Sequence, residues 1–294
     1  VSQPVGGEGT QGDGAVWQRR GHATGAILTF LLLAFGWSWS VGLAAMHVRD
    51  QSAMAGNALL MLSGFGPSLA GLAVVAGIGG RSGLRDWLTR CLQWRLGWRW
   101  FALAFALPPV AMLLALALHA ALGGTIAASP ANGHILLAIV NFALVLVVGG
   151  PLGEEFGWRG YLLPAIAARL GWRWAGLVVG VLWGVWHLPL FFIADTVQSD
   201  MPLALFLLSS VVLSVLFAWL ASKTGQSVLP ALVLHTAINA WAGIIPVMPT
   251  ADTARPFALL VGILGIVAVM LLWRADALVV ADRGDAASRG AGPC

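Results

Sequence analysis

The 294-residue chain is 59% hydrophobic and only 10% charged, with a mean hydropathy of +0.86. A soluble domain averages roughly 45–50% apolar and about 25% charged residues, so the composition excludes an ordinary cytosolic enzyme. It implies an all-α, polytopic membrane protein. The formal charge of +4 and pI near 10.0 would suggest a nucleic-acid partner in a soluble protein; here the basic residues fall between apolar runs, so they read as topology signals and no nucleic acid is implied.

In chain order, residues 1–22 are polar and Gly-rich, without a cleavable-signal pattern, and are expected to be a disordered tail. Eight spans are expected near 24–46, 57–79, 101–122, 134–153, 174–194, 201–221, 228–246 and 256–273, forming one transmembrane bundle over 23–274. Between the second and third spans, Leu84, Trp87, Leu88 and Cys91 follow helical spacing among arginines, which predicts an interfacial helix near 84–98. Residues 275–294 read as a second disordered tail. Cys91 and Cys294 form no ligand or disulfide pattern, and Cys294 lacks the three following residues of a prenylation signal.

With the N-terminus placed in the cytoplasm, 14 of the 16 Lys and Arg fall on the cytoplasmic side and only Arg49 and Arg255 outside. That bias predicts a multi-pass plasma-membrane protein, embedded in lipid, with both termini cytoplasmic. It also sets Glu154, Glu155 and Arg159 at the cytoplasmic end of the fourth span. No internal repeat is evident, which speaks against a transporter.

An ionisable side chain in a span costs at least about 2.5–3.5 kcal/mol at mid-bilayer and is a functional candidate by default. The candidates are Glu154, Glu155, His187 and His235, with His119 near the end of the third span; Asn141 and Asn239 are the notable amides. Glu155 and Arg159 are four residues apart and share a helical face in the favourable order. Glu154 is rotated about 100° away, so one carboxylate is paired and the other is left for chemistry. Trp183 and His187 are four apart, as are His235 and Asn239. Each cluster alone fits a packing role at a membrane edge or between helices. Three such clusters in one bundle point to a shared polar pocket.

A carboxylate with a histidine can activate water as a general base, and a second histidine with an amide can stabilise an oxyanion. Glu with two His is equally the ligand set of many catalytic zinc sites, so both uses stand. No H-E-x-x-H occurs, no Asp lies deep in a span, and the MLSGFG around Ser63 lacks a G-x-S-G serine motif.

The three clusters together resemble the CPBP family of intramembrane proteases, also called the Abi or CAAX-protease family. Its E-E-x-x-x-R motif is matched by Glu154, Glu155 and Arg159, and its H-x-x-x-N motif by His235 and Asn239. In its F-x-x-x-H motif His187 is present but Trp183 stands where Phe is usual. The motif core covers about 145–245. The resemblance implies an intramembrane glutamic or metallo-endopeptidase. Glu154 and His187 would activate water, His235 and Asn239 would form the oxyanion site, and Glu155, Arg159 and Trp183 would support them. A divalent metal such as zinc, if used, would sit on Glu154, His187 and His235. The family contains enzymes that trim prenylated proteins and bacterial members linked to bacteriocin processing or self-immunity. Its substrates are therefore peptides or proteins, some of them lipidated. A non-proteolytic immunity or scaffold protein is the alternative. The fourth helix is expected to run on to about Ala168, with the E-E-x-x-x-R residues inside a cavity open to the cytoplasm.

Overall fold

Apolar runs become helices, and the helices stop where glycine or proline changes the backbone. The structure, a computed structural model, describes residues 23–131, 134–148, 150–194, 196–250 and 252–289; the expected N-terminal tail lies outside them. In order the elements are α1 (Thr24–Arg49), α2 (Ala53–Ser63), α3 (Gly66–Cys91), α4 (Trp98–Ala121), α5 (Ile135–Val148), α6 (Pro151–Gly157), a π-helical turn (Trp158–Leu162), α7 (Leu163–Trp186), a 3₁₀ turn (Leu188–Phe192), α8 (Leu203–Lys223), α9 (Leu229–Ala242) and α10 (Arg255–Arg289). No strand occurs among the described residues. The tail expected over 275–294 falls partly on the α10 backbone and partly, from 290, outside the described residues.

Five helical stretches among the described residues are long and apolar enough to cross a membrane, and α2 with α3, bent by 43°, makes a sixth. One of the five, Pro151–Phe192, has 42 residues, about 63 Å of helix at 1.5 Å per residue, against a hydrocarbon core of about 30 Å. It is not a single rod. Gly171 sits at φ 76°, ψ 163°, a left-handed conformation that glycine adopts readily. There the chain turns back, because Trp183 Nε1 reaches Glu154 Oε2 at 2.6 Å; a straight helix would part them by about 43 Å. The expected fourth span breaks for the same kind of reason. Gly150, at φ 108°, ends one direction and Pro151 opens the next helix. Beyond that break the helix continues through the π-turn to residue 170, and Glu154 is buried inside the bundle rather than exposed at its edge.

The helix expected near 84–98 is shorter than its sequence pattern. Gly80, at φ 57°, breaks α3, and the second arm ends at Cys91. Trp94 and Trp98 lie beyond it, 67% and 81% exposed. This arm docks on the π-turn. Pro164 has no N–H to give the Gly160 carbonyl four residues earlier, and the Trp87 indole (2.9 Å) and Arg90 guanidinium (2.8 Å) donate to that carbonyl instead.

Lipid is as apolar as leucine, so close approach of backbones drives helix pairing in a membrane. Two sets of glycines do this here. Gly153 and Gly157 bracket the two glutamates and seat α6 on the start of α3: a Cβ at 153 would come within 2.6 Å of the Gly64 carbonyl oxygen, and one at 157 would overlap Pro67. Gly176, Gly180 and Gly184 form a stripe on α7 against Ala218, Val211 and Leu207 of α8.

Gly157→Ala is expected to lower thermal stability in detergent by about 1–3 kcal/mol through overpacking. Gly77→Ala, where a Cβ meets nothing within 4 Å, is expected to be neutral or to stabilise by up to about 1 kcal/mol. Equal melting temperatures for the two variants would contradict this packing.

Candidate active site

The first motif has its glutamates on α6, whose glycine pair fixes its height against α3, and its arginine on the π-turn that follows. Glu155 and Arg159 are sealed from solvent, 0% and 1% exposed. Arg159 Nη1 donates to Glu155 Oε1 at 2.8 Å, and His235 Nδ1 lies 2.7 Å from the same oxygen. A carboxylate accepts, so His235 carries its proton on Nδ1 and presents Nε2 away from Glu155. The Arg159 guanidinium is held between two rings, 4.3 Å from the Trp183 centroid and 3.9 Å from that of Phe217. A cation placed so is stabilised by both faces without needing water.

Glu154 points elsewhere. Its Oε2 accepts from Trp183 Nε1, while Oε1 lies beside Gly150: a Cβ on that glycine would sit 2.6 Å from Oε1 and 3.9 Å from His235 Cε1. Gly150 therefore keeps open the space where the free carboxylate oxygen meets the histidine. The Trp183 substitution in the second motif thus does more than keep an aromatic, since its indole N–H holds Glu154.

His187 closes α7. Its Nδ1 lies 2.8 Å from the Trp183 carbonyl oxygen. That oxygen only accepts, so Nδ1 carries the proton and Nε2 is left as an acceptor when the ring is neutral. Trp183, Trp186 and Phe206 surround the ring edge-on at 5.6, 4.7 and 5.2 Å.

Glu154, Trp183, His187, His235 and Asn239 all line one cavity of about 690 Å³. α9 runs antiparallel to α5 and α6: His235 meets Glu155, and Gly243 approaches the Asn141 amide. Asn239, one turn after His235, therefore faces the same space. The cavity does not sit at the end of the bundle that carries the arginines. Its wall comes from the second half of α1, the α2–α3 junction, the ends of α7 and α9 and the starts of α8 and α10. Packing sets this arrangement. Trp158, Leu162 and Phe217 are fully buried in the core below the glutamates and fill the opposite direction.

His119 is not part of the site. It accepts from Arg255 Nε at 3.0 Å and lies 3.2 Å from the Thr125 carbonyl, tying α4 to the start of α10. Among the described residues no three His, Cys, Asp or Glu side chains are gathered as metal ligands. Glu154, His187 and His235 line the same cavity but are not drawn together as a ligand cluster, so as placed they do not fit a metal.

Phe217, Trp186 and Gly150 were not legible as site residues. Phe217 lies in an apolar helix with no motif, and only the spacing GLVVGVLWG before His187 signals how closely α8 must approach.

Fold and site together define an all-helical membrane protein with a buried carboxylate–histidine cluster at the head of a largely apolar cavity. Residues 135–241 match the profile of the Rce1-like type II CAAX prenyl endopeptidases. The chain is also 26% identical over 191 residues to the CAAX prenyl protease 2 of Methanococcus maripaludis, covering 62% of this chain and 70% of that protein. Over its motif core the chain is thus similar to CAAX-type prenyl endopeptidases.

Arg159→Ala is expected to cost about 3–5 kcal/mol of stability, because it leaves Glu155 buried with an uncompensated charge. Arg159→Lys is expected to lose about 1–2 kcal/mol, keeping the charge but not the planar stacking. Thermal unfolding in detergent checks the order; equal losses would show that the rings contribute nothing.

Proposed function

We propose that the protein is an intramembrane endopeptidase whose Glu154 activates the hydrolytic water. The observation that carries this reading is the division of labour between neighbouring glutamates. Glu155 is spent on Arg159 and His235, whereas Glu154 keeps one oxygen at the cavity, beside a glycine that makes room for it.

In this mechanism a water lies between Glu154 Oε1 and His187 Nε2. Glu154 takes its proton as the water oxygen attacks the scissile carbonyl carbon. The carbonyl oxygen becomes an oxyanion, and His235 as an imidazolium donates Nε2–H to it while Asn239 donates from its amide. Glu155 supports the imidazolium through Nδ1–H. The proton on Glu154 then passes to the leaving nitrogen as the C–N bond breaks, which returns the carboxylate. Trp183 keeps Glu154 oriented throughout. The aromatic ring around His187 excludes bulk water and offers an apolar wall to a substrate side chain or to a lipid attached to the substrate. The name of the archaeal relative makes peptides bearing a prenylated cysteine the first substrates to try.

The test uses purified protein with quenched peptides, some carrying a C-terminal lipidated cysteine, each with and without a strong chelator. Glu154→Gln keeps an acceptor for Trp183 and is expected to lose about 10²–10⁴-fold in cleavage rate without losing its fold. Asn239→Ala is expected to lose about 10²–10³-fold. The chelator is expected to leave cleavage intact. Full activity in Glu154→Gln would overturn the glutamate mechanism, and activity lost to the chelator and restored by zinc would replace it with a metal mechanism. A non-proteolytic immunity or scaffold role would be favoured if Glu154→Gln left the biological phenotype unchanged.

A further inference from the structure

We propose that the cavity takes its substrate from the non-cytoplasmic face of the membrane, so that the bond it cuts lies in a peptide segment presented on that side. The proposal rests on the hydrolase reading above and assigns that reading its substrate class.

Three observations carry it. The first is the position of the cavity. The helix bearing Glu154 reaches Arg169 about 22 Å further on, and that bearing His187 starts near Arg173, about 21 Å back, at 1.5 Å per residue. Most of the cavity wall, including the loops after His187 and after Ala242, lies on the far side of the glutamates from those arginines. Its mouth is bordered by Met61, Val148 and Val197, which are 50%, 38% and 60% exposed.

The second is the floor. Trp158, Leu162, Phe217 and Val228 are each 0% exposed, Trp87 is 1% exposed, and together they fill the bundle between the glutamates and the basic end. The arm of α3 that ends at Cys91 closes this floor from below. The Cys91 carbonyl accepts from Val228 N at 2.9 Å, and Arg90 reaches both Gly160 and Gln226. A peptide arriving from the basic end would have to displace this packed layer.

The third is charge. Arg81, Arg85, Arg90, Arg95, Arg99, Arg169, Arg173 and Lys223 lie at the closed end of the bundle. At the cavity end stand Arg49 and Arg255, with Asp50, Asp200 and Asp252. Lys and Arg in short loops stay in the cytoplasm, so the closed end is cytoplasmic and the cavity faces the other way. The C-terminus of a cytoplasmic protein, lipidated or not, meets the closed floor. A segment of an exported or membrane-anchored polypeptide on the far side meets the mouth.

Single cysteines at Val197 and Arg85, in full-length protein carrying Cys294→Ser, test the facing directly. A membrane-impermeant maleimide is applied to intact cells of a bacterial host and then to permeabilised cells. Val197→Cys is expected to label in intact cells and Arg85→Cys only after permeabilisation; the reverse pattern overturns the proposal. In the same cells, two single-span reporters carry one cleavable segment on opposite sides of the membrane, and only the non-cytoplasmic one is expected to be cut. Cutting of the cytoplasmic reporter alone also overturns the proposal. If neither is cut, the failure falls on the hydrolase reading, and the labelling still decides which way the cavity faces.

Discussion

One carboxylate oxygen organises the site. Glu155 Oε1 accepts from Arg159 on its own helix and from His235 on α9. Through those two contacts it sets the height of α9 against α6, fixes which nitrogen of His235 bears its proton, and anchors the guanidinium that Trp183 and Phe217 enclose. Charges so deeply buried are costly unless paired and well packed. The cluster is therefore rigid by necessity: moving any one member would leave another unpaired.

Rigidity at this level depends on close backbone contact, which the glycines provide. Gly153 and Gly157 let α6 meet α3, and the stripe Gly176, Gly180, Gly184 lets α7 meet α8. The first contact places the glutamates; the second places Trp183 and His187 over them. The π-turn between them is held by α3 rather than by its own helix, because Pro164 leaves the Gly160 carbonyl for Trp87 and Arg90 to satisfy. The geometry of the site and the fold thus share the same few contacts.

Much of this was legible in the sequence, and the misses have physical causes. Spacing of four identified the Glu155–Arg159 pair and the shared face of His235 and Asn239, and rotation on a helix separated Glu154 from its neighbour. Hydropathy found the apolar stretches but not their breaks. A run of hydrophobic residues looks continuous across Gly150 and Gly171, where positive φ angles redirect the chain. The expected run of helix to about Ala168 is present, but it starts anew at Pro151 after the break at Gly150 instead of continuing the preceding apolar span. The link between Glu155 and His235 spans 80 residues, and no periodicity reports a contact between distant helices. Nor does composition reveal which end of a bundle is packed and which is open. That depends on where Trp158, Phe217 and Trp87 meet, and all three are aromatic residues among many.

The account depends most on Glu155 acting through His235 rather than on substrate. The direct measurement is steady-state cleavage by Glu155→Gln beside wild type, with both proteins shown to be equally folded. Glutamine retains one acceptor but loses the charge that supports an imidazolium at His235. The account predicts a large fall in kcat with little change in KM, since the interaction is made in the transition state. Wild-type kcat in Glu155→Gln, or a change confined to KM, would contradict it.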